Sequence, residues 1–155
     1  MATSTRPALA VQASRLIDAP PDRLYALLSD VTTMGSRSPE ARDAVWLSGG
    51  GEVGSRFKGS NRIKAMRWTT VATVTVADPG RRFAFVTSAP SRSTWTYELS
   101  PQRGGTLVTE SVVKHDAQPL PIRWLQRLAG VTDRAASLRH GIESTLERLA
   151  AAVEA

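Results

Sequence analysis

The sequence predicts an α+β domain in which a curved antiparallel sheet wraps around one long C-terminal helix. Short segments of alternating polar and apolar residues fill the chain from about Ala44 to Val113, as half-buried strands do. A long helix laid across such a sheet leaves a hollow between them, and we look for function there. The helix is predicted because apolar residues after the strands recur every three or four positions, the spacing of one helix face: Leu128, Val131, Ala135, Leu138, Ile142, Leu146, Leu149 and Val153.

The chain before the sheet is predicted to hold one strand and two short helices. Residues 1–10 are expected to form a flexible tail and residues 11–155 a single domain, because a chain of 155 residues can bury one core. Val11 to Ile17 alternates as a first strand. Pro20-Pro21-Asp22 predicts the start of a three-turn helix, since proline fits the first helical turn and an acidic residue suits the helix dipole. A second short helix is expected between Thr32 and Ala41.

Six further strands are predicted, joined into an antiparallel meander by turn segments such as Asp78-Pro79-Gly80. In the third of these strands, alternation places Trp68, Val74 and Val76 on one face. The final helix is predicted from Ile122 to Val153. A kink is predicted at Gly130, because glycine inside a helix costs about 1 kcal/mol relative to alanine. The six strands are Ala44 to Leu47, Arg56 to Asn61, Arg67 to Val76, Arg82 to Val86, Ser93 to Leu99 and Thr106 to Val113.

Composition excludes several classes of protein. The chain has no cysteine, so disulfide and thiolate chemistry are absent. No apolar run approaches the roughly 20 residues of a membrane span, and the N-terminus lacks a signal-peptide core, so a cytoplasmic protein without integral membrane association is expected. The net charge of +6 could indicate an anionic partner. The arginines are scattered, however, and no helix-turn-helix, RNP or zinc-finger pattern occurs, so no nucleic-acid partner is predicted.

Four short motifs occur in an order and spacing that resemble a known superfamily. They are Ile17-Asp-Ala-Pro20 with Leu24-Tyr25, Trp95-Thr-Tyr-Glu-Leu99, Gly104-Gly-Thr106-Leu-Val-Thr-Glu110 and Thr145-Leu-Glu-Arg-Leu149. Together with the order of elements, they resemble the START-like, Bet v 1-type SRPBCC superfamily, and within it the polyketide cyclase/dehydrase-like proteins common in actinobacteria. The resemblance covers the chain from about Val11 to Val153.

The resemblance implies a helix-grip fold whose cavity takes hydrophobic or amphipathic small molecules. It does not imply one activity, because the superfamily includes lipid carriers, polyketide aromatase/cyclases, plant hormone receptors, ubiquinone-binding proteins and a co-chaperone. One departure is Arg37, which stands where relatives often carry an aromatic residue near the cavity mouth. This arginine predicts a more polar mouth.

Aromatic residues fall on one parity of each predicted strand. They could form a plain core, but because the fold leaves a hollow, some of them are predicted to line a ligand cavity of a few hundred Å³. Asn61 shares the parity of Phe57 and is a candidate to hydrogen-bond a ligand, and the helix residues Leu128 and Leu138 complete the predicted lining. The aromatic set is Trp46, Phe57, Trp68, Phe83, Phe85, Trp95 and Tyr97.

Glu110 is the one candidate for catalysis. It shares strand parity with Val108 and Val112, although the opposite parity is nearly as apolar. Relatives often have a polar residue at the position of Leu107, which favours Glu110 pointing inward. An inward carboxyl would have its pKa raised by desolvation and could act as a general acid or base. The alternative is a buried structural glutamate paired with an arginine such as Arg134.

Other kinds of site are not expected. His115 and His140 are the only histidines and have no acidic cluster nearby, so no metal site is predicted. No nucleophile and base have usable spacing, and no cofactor motif occurs. The loop Gly49 to Gly54 could cradle a phosphate, but it lacks the lysine and helix of a P-loop, and a hairpin connection is favoured.

Three functions fit these observations. The leading hypothesis is a protein that binds or transports a small lipophilic ligand. The second is a polyketide cyclase/aromatase-like enzyme, which folds its substrate in a shaped cavity and needs few polar groups. The third is a protein-interaction module that uses the sheet edge or the helix. The sequence does not decide between monomer and dimer.

Overall fold

The computed structural model describes residues 9–36, 38, 41–89, 92–115, 124 and 134–154. Helix α1 (Pro21–Ser29) and a 3-10 helix (Val31–Ser36) follow the first strand, and helix α2 (Arg134–Glu154) comes after the last. The strands of the described residues are β1 (Leu9–Ile17), β2 (Ala41–Ser48), β3 (Arg56–Ile63), β4 (Met66–Asp78), β5 (Arg82–Ala89), β6 (Ser93–Gln102) and β7 (Gly105–Lys114).

These strands form one antiparallel sheet in the order β1-β7-β6-β5-β4-β3-β2. Strands β2 to β7 are neighbours in chain order, as a meander requires, and β1 pairs with β7. Within the described part of the chain, β1 and β2 are therefore the two edges of the sheet. The predicted seven-stranded antiparallel sheet with a long helix after it is confirmed.

Several strands are longer than predicted, since β5 continues to Ala89 and β6 to Gln102. The second short helix is a 3-10 helix that ends at Ser36, and β2 begins at Ala41 rather than Ala44. The described part of α2 begins at Arg134. The predicted start at Ile122 and the predicted kink lie outside the described residues, where only Trp124 is placed, in helical conformation and 68% exposed.

Strand β4 departs from the predicted alternation. Its register against β5 shifts between Val74 and Val76. Because a bulge inserts an extra residue, the side chains beyond it change face. Ala77 pairs with the buried Phe83 and packs against the core, whereas Val76 does not. The prediction that Val76 shares a face with Trp68 is therefore wrong.

Helix α2 buries one face against the sheet. Each fully buried leucine or isoleucine contributes about 1.5–3 kcal/mol through removal of apolar surface from water. The C-terminal end of α2 is held by the segment after β1, because the amide of Asp18 donates to Glu154 Oε1 at 3.0 Å and Arg23 Nη1 donates to the carbonyl of Val153 at 3.3 Å. The buried residues of α2 are Leu138, Ile142, Thr145, Leu146, Leu149, Ala150 and Val153.

Burial alternates strictly along β7. Thr106, Val108, Glu110, Val112 and Lys114 are buried, and the residues between them are half-buried. The buried series lies on the face that also carries the core residues of β6, so Glu110 and Lys114 stand among apolar side chains on the same side of the sheet.

No helix among the described residues is long and apolar enough to cross a bilayer.

Candidate functional site

A small pocket lies between the sheet and helix α2. Its volume is about 30 Å³, which is room for about two water molecules. This is far less than the few hundred Å³ predicted for the whole cavity, although that prediction included the segment around Leu128, which lies outside the described residues. The lining consists of Ser38, Trp95, Glu110, Leu138, Gly141, Ile142 and Thr145.

The space exists because α2 carries two small residues where it faces Glu110. Gly141 and Thr145 are one helical turn apart, whereas their neighbours Leu138, Ile142 and Leu146 fill the interface with the sheet. Sequence reasoning missed both residues. The signal was present, however, as a glycine and a threonine beside a stripe of leucine and isoleucine on the buried helix face.

Glu110 forms the polar wall of the pocket. Glu110 is only 3% exposed, and Tyr97 stands directly opposite it on β6. The Tyr97 hydroxyl donates a hydrogen bond to Glu110 Oε1 at 2.8 Å. This buried hydrogen bond fixes the orientation of the carboxyl group. The inward orientation that the sequence favoured is the one the structure has.

The alternative prediction for Glu110 pairs it with an arginine such as Arg134. The guanidinium carbon of Arg134 lies 5.7 Å from the centre of the Trp68 ring, within the range of a cation–π contact. This contact joins the start of the described part of α2 to the long strand β4. The hydrogen bond that the structure places on Glu110 Oε1 comes from Tyr97, and a pair of Glu110 with Arg134 stays a prediction.

Five of the seven predicted aromatic residues form a continuous row of ring contacts. Trp46 meets Phe57 at 5.7 Å and Phe57 meets Phe85 at 5.0 Å, both edge to face, and Phe85 stacks on Trp95 at 6.5 Å between ring centroids. Phe83 adjoins Phe85 at 6.2 Å. Such pairs stabilise by about 0.5–1.5 kcal/mol each beyond their burial.

Burial divides the predicted aromatic set into two groups. Phe57, Phe83, Phe85 and Tyr97 are buried and belong to the core, whereas the three tryptophans are only half-buried. Accessible aromatic surface therefore remains on Trp46, Trp68 and Trp95. Of these, Trp95 lines the pocket.

The other predicted lining residues are distributed differently. Leu138 lines the pocket beside Glu110. Asn61 uses its amide to donate to Thr70 Oγ1 at 2.7 Å, across the β3–β4 hairpin. Leu128 and the predicted mouth residue Arg37 lie outside the described residues.

The glycine-rich loop before β3 uses its amides within the loop itself. The amide of Gly50 donates to Glu52 Oε2 and the amide of Gly51 to Ser55 Oγ, both at 3.2 Å. Backbone amides, of Glu52 itself and then of Gly50, hold the pKa of the Glu52 carboxyl below its usual value. A carboxylate thus occupies the place that a phosphate would need, which favours the hairpin connection.

The histidines stay outside the pocket. His115 is exposed and its Nε2 lies 2.8 Å from Thr94 Oγ1, and His140 is exposed on α2. Within the described ranges, no group of three or more histidine and acidic side chains could hold a metal ion.

Comparison with known proteins places this architecture in a family. Residues 8–154 match the family described as polyketide cyclase/dehydrase and lipid transport. A comparison with characterised proteins by sequence finds no significant match.

Several solved structures share the fold. A polyketide-cyclase-like protein from Corynebacterium glutamicum is 29% identical, with a TM-score of 0.62 over 94% of this chain and 91% of its own. A START superfamily protein from Mycobacterium smegmatis is 15% identical, with a TM-score of 0.69 over 94% and 97%. The di-domain ARO/CYC protein StfQ of the steffimycin biosynthetic pathway is 16% identical, with a TM-score of 0.72 over 94% of this chain and 50% of its own. The helix-grip fold expected from the resemblance is thereby confirmed.

Proposed function

The chain belongs to the polyketide cyclase/dehydrase and lipid transport family, and we propose that it binds a small lipophilic molecule between the sheet and helix α2. The observation that carries the proposal is the half-buried Trp95, which stacks on the core residue Phe85 and borders the pocket at Glu110. An aromatic wall with one convergent polar group is typical of small-molecule sites.

The size of the pocket decides how a ligand would lie. A pocket with room for about two water molecules can hold the polar end of a ligand but is too small for its apolar body. The apolar body would then lie against the accessible surfaces of Trp95 and Trp46, which ring contacts through Phe57 and Phe85 connect. Their rings offer large apolar contact area, and each indole also carries an N–H group.

Replacing the aromatic wall tests the proposal. We expect Trp95→Ala to weaken binding of the neutral fluorescent lipophile N-phenyl-1-naphthylamine about tenfold or more, equal to about 1.4 kcal/mol, because the ligand loses its largest contact surface. Fluorescence titration measures the change, and native mass spectrometry of the purified protein would reveal a co-purified lipophile. The matched control is Trp124→Ala, since Trp124 is 68% exposed and does not line the pocket.

Two results would count against the proposal. One is the absence of saturable binding of the probe to the wild-type protein. The other is an equal loss of affinity in both tryptophan variants, which would indicate binding at the surface. Trp95→Leu provides a second variant if the alanine variant does not fold, because leucine keeps apolar volume at the site.

The second candidate function is a cyclase/aromatase-like enzyme, and the buried Glu110–Tyr97 pair on the pocket wall favours it. Proton transfer by a positioned side chain contributes about 10²–10⁴-fold to a rate. For this function, Glu110→Gln is expected to lower the rate of cyclisation of a poly-β-keto substrate by a factor in that range. The affinity for the substrate should change less than about tenfold. If the wild-type protein leaves such substrates unchanged, this second function is excluded for them.

A further inference from the structure

Two hydroxyl protons at the pocket are already used within the protein. The Tyr97 hydroxyl donates to Glu110 Oε1 at 2.8 Å, and the Thr145 hydroxyl donates to the carbonyl of Gly141, one turn back in α2, also at 2.8 Å. A hydroxyl group carries a single proton, and Glu110, which accepts from Tyr97, carries none in its ionised form. Glu110 and Thr145 therefore face the pocket with oxygen lone pairs, which accept hydrogen bonds.

From this arrangement we propose that the pocket selects lipophilic ligands that end in a hydrogen-bond donor, either a hydroxyl or an amino group. The inference rests on the proposed function and names the chemical class of its ligand. A hydroxyl or amino group fits a volume of about 30 Å³ and can donate to Glu110 and Thr145. An ether oxygen donates nothing, and a carboxylate would stand beside the carboxylate of Glu110.

If the pocket preferred another kind of ligand, other polar groups at or near it would explain that preference. Lys114 lies on the same buried face of β7 as Glu110, with Nζ 3.5 Å from Ser93 Oγ, and its ammonium would attract an acidic ligand. Trp95 and Ser38 line the pocket, and the indole N–H or the serine hydroxyl would suit a ligand that only accepts hydrogen bonds. Each alternative ligand chemistry thus has its own group in the structure.

The test compares four probes that share one naphthalene body: 2-naphthylmethanol, 2-naphthylmethylamine, 2-(methoxymethyl)naphthalene and 2-naphthoic acid. We expect the alcohol and the amine to bind the wild-type protein at least tenfold more tightly than the ether and the acid, as measured by calorimetric titration. In Glu110→Gln the preference for the alcohol over the ether falls to less than about threefold, because the amide brings its own N–H donors. Thr145→Val, which keeps the side-chain shape, lowers the same preference.

The remaining outcomes contradict the inference. Tightest binding of the acid would make Lys114 the selecting group, and equal binding of ether and alcohol would assign that role to Trp95 or Ser38. Equal affinity for all four probes overturns the inference but leaves the proposed function standing. Saturable binding of none of the four, together with no binding of N-phenyl-1-naphthylamine, overturns both. Melting curves of each variant show whether an altered preference comes from an unfolded protein.

Discussion

Gly105→Ala is expected to destabilise the domain by about 4 kcal/mol or more, which is exceptional for one methyl group. Gly105 begins β7 with φ at +141°, a conformation that side chains rarely adopt. A Cβ atom there would fall on the backbone carbonyl of Ile17, which cannot swing aside as a flexible side chain can. That carbonyl also accepts the amide of Ala19 at 2.9 Å, so moving it breaks a turn after β1.

Gly50→Ala is the matched control for this prediction. An added Cβ at Gly50 meets nothing within 4 Å, and its φ is not positive. Alanine at such a position is neutral or stabilises by up to about 1 kcal/mol, because it restricts the unfolded chain. Thermal unfolding and the yield of folded protein measure both variants. If the Gly105→Ala protein were as stable as the Gly50→Ala protein, the start of β7 would not pack against the end of β1 as described.

Leu149→Ala is the second large effect, expected to cost about 2–5 kcal/mol. Leu149 is completely buried in the face of α2 that packs on the sheet, and truncation leaves a cavity beneath the helix. For a chain of this size, about 2–4 °C per kcal/mol gives a fall in Tm of roughly 4–20 °C. Chemical denaturation measures the free energy of unfolding directly.

The control for the leucine substitution is Leu47→Ala on the edge strand β2. Leu47 is 51% exposed, so the same chemical change should alter stability by less than about 0.5 kcal/mol. Equal effects of the two substitutions would mean that α2 does not bury the stripe that defines it in the sequence.

Much of the fold could be predicted because its two periods are clear in the sequence. Along β7 every second residue is buried, and on α2 the buried residues from Leu138 to Val153 follow the helical repeat. The bulge in β4 could not be predicted, since no glycine or proline marks it and the run from Thr73 to Val76 consists of threonine and valine, which favour strands. Alternation gives the face of a side chain only as long as no extra residue is inserted.

The partner of Glu110 was within reach of sequence reasoning. A two-residue turn, Arg103-Gly104, joins β6 to β7, with Gln102 opposite Gly105. Equal steps back along both strands from that turn place Tyr97 opposite Glu110, which is the pair that the structure shows. The pocket itself could not be predicted from the sequence, because its volume depends on where α2 lies across the sheet.

Alternation also does not give depth. Phe57, Phe85 and Trp95 all lie on the inner face, yet the two phenylalanines are buried and the tryptophan keeps accessible surface. Ring size and position along the strand set this difference, and both act through packing against neighbours from other elements. A sequence pattern therefore names the candidates for a ligand wall without separating them from the core.

Ligand binding beneath α2 is tested most directly by the indole N–H signals of the four tryptophans in a two-dimensional ¹⁵N NMR titration. With N-phenyl-1-naphthylamine or 2-naphthylmethanol, we expect the Trp95 signal to move most and to saturate, because its ring lines the pocket. The signal of Trp124, 68% exposed, should stay in place. Saturable shifts confined to the Trp124 indole, or to the backbone amides of the exposed edge residues Val45 and Leu47 in the same spectrum, with the Trp95 signal unmoved, would contradict binding between the sheet and the helix.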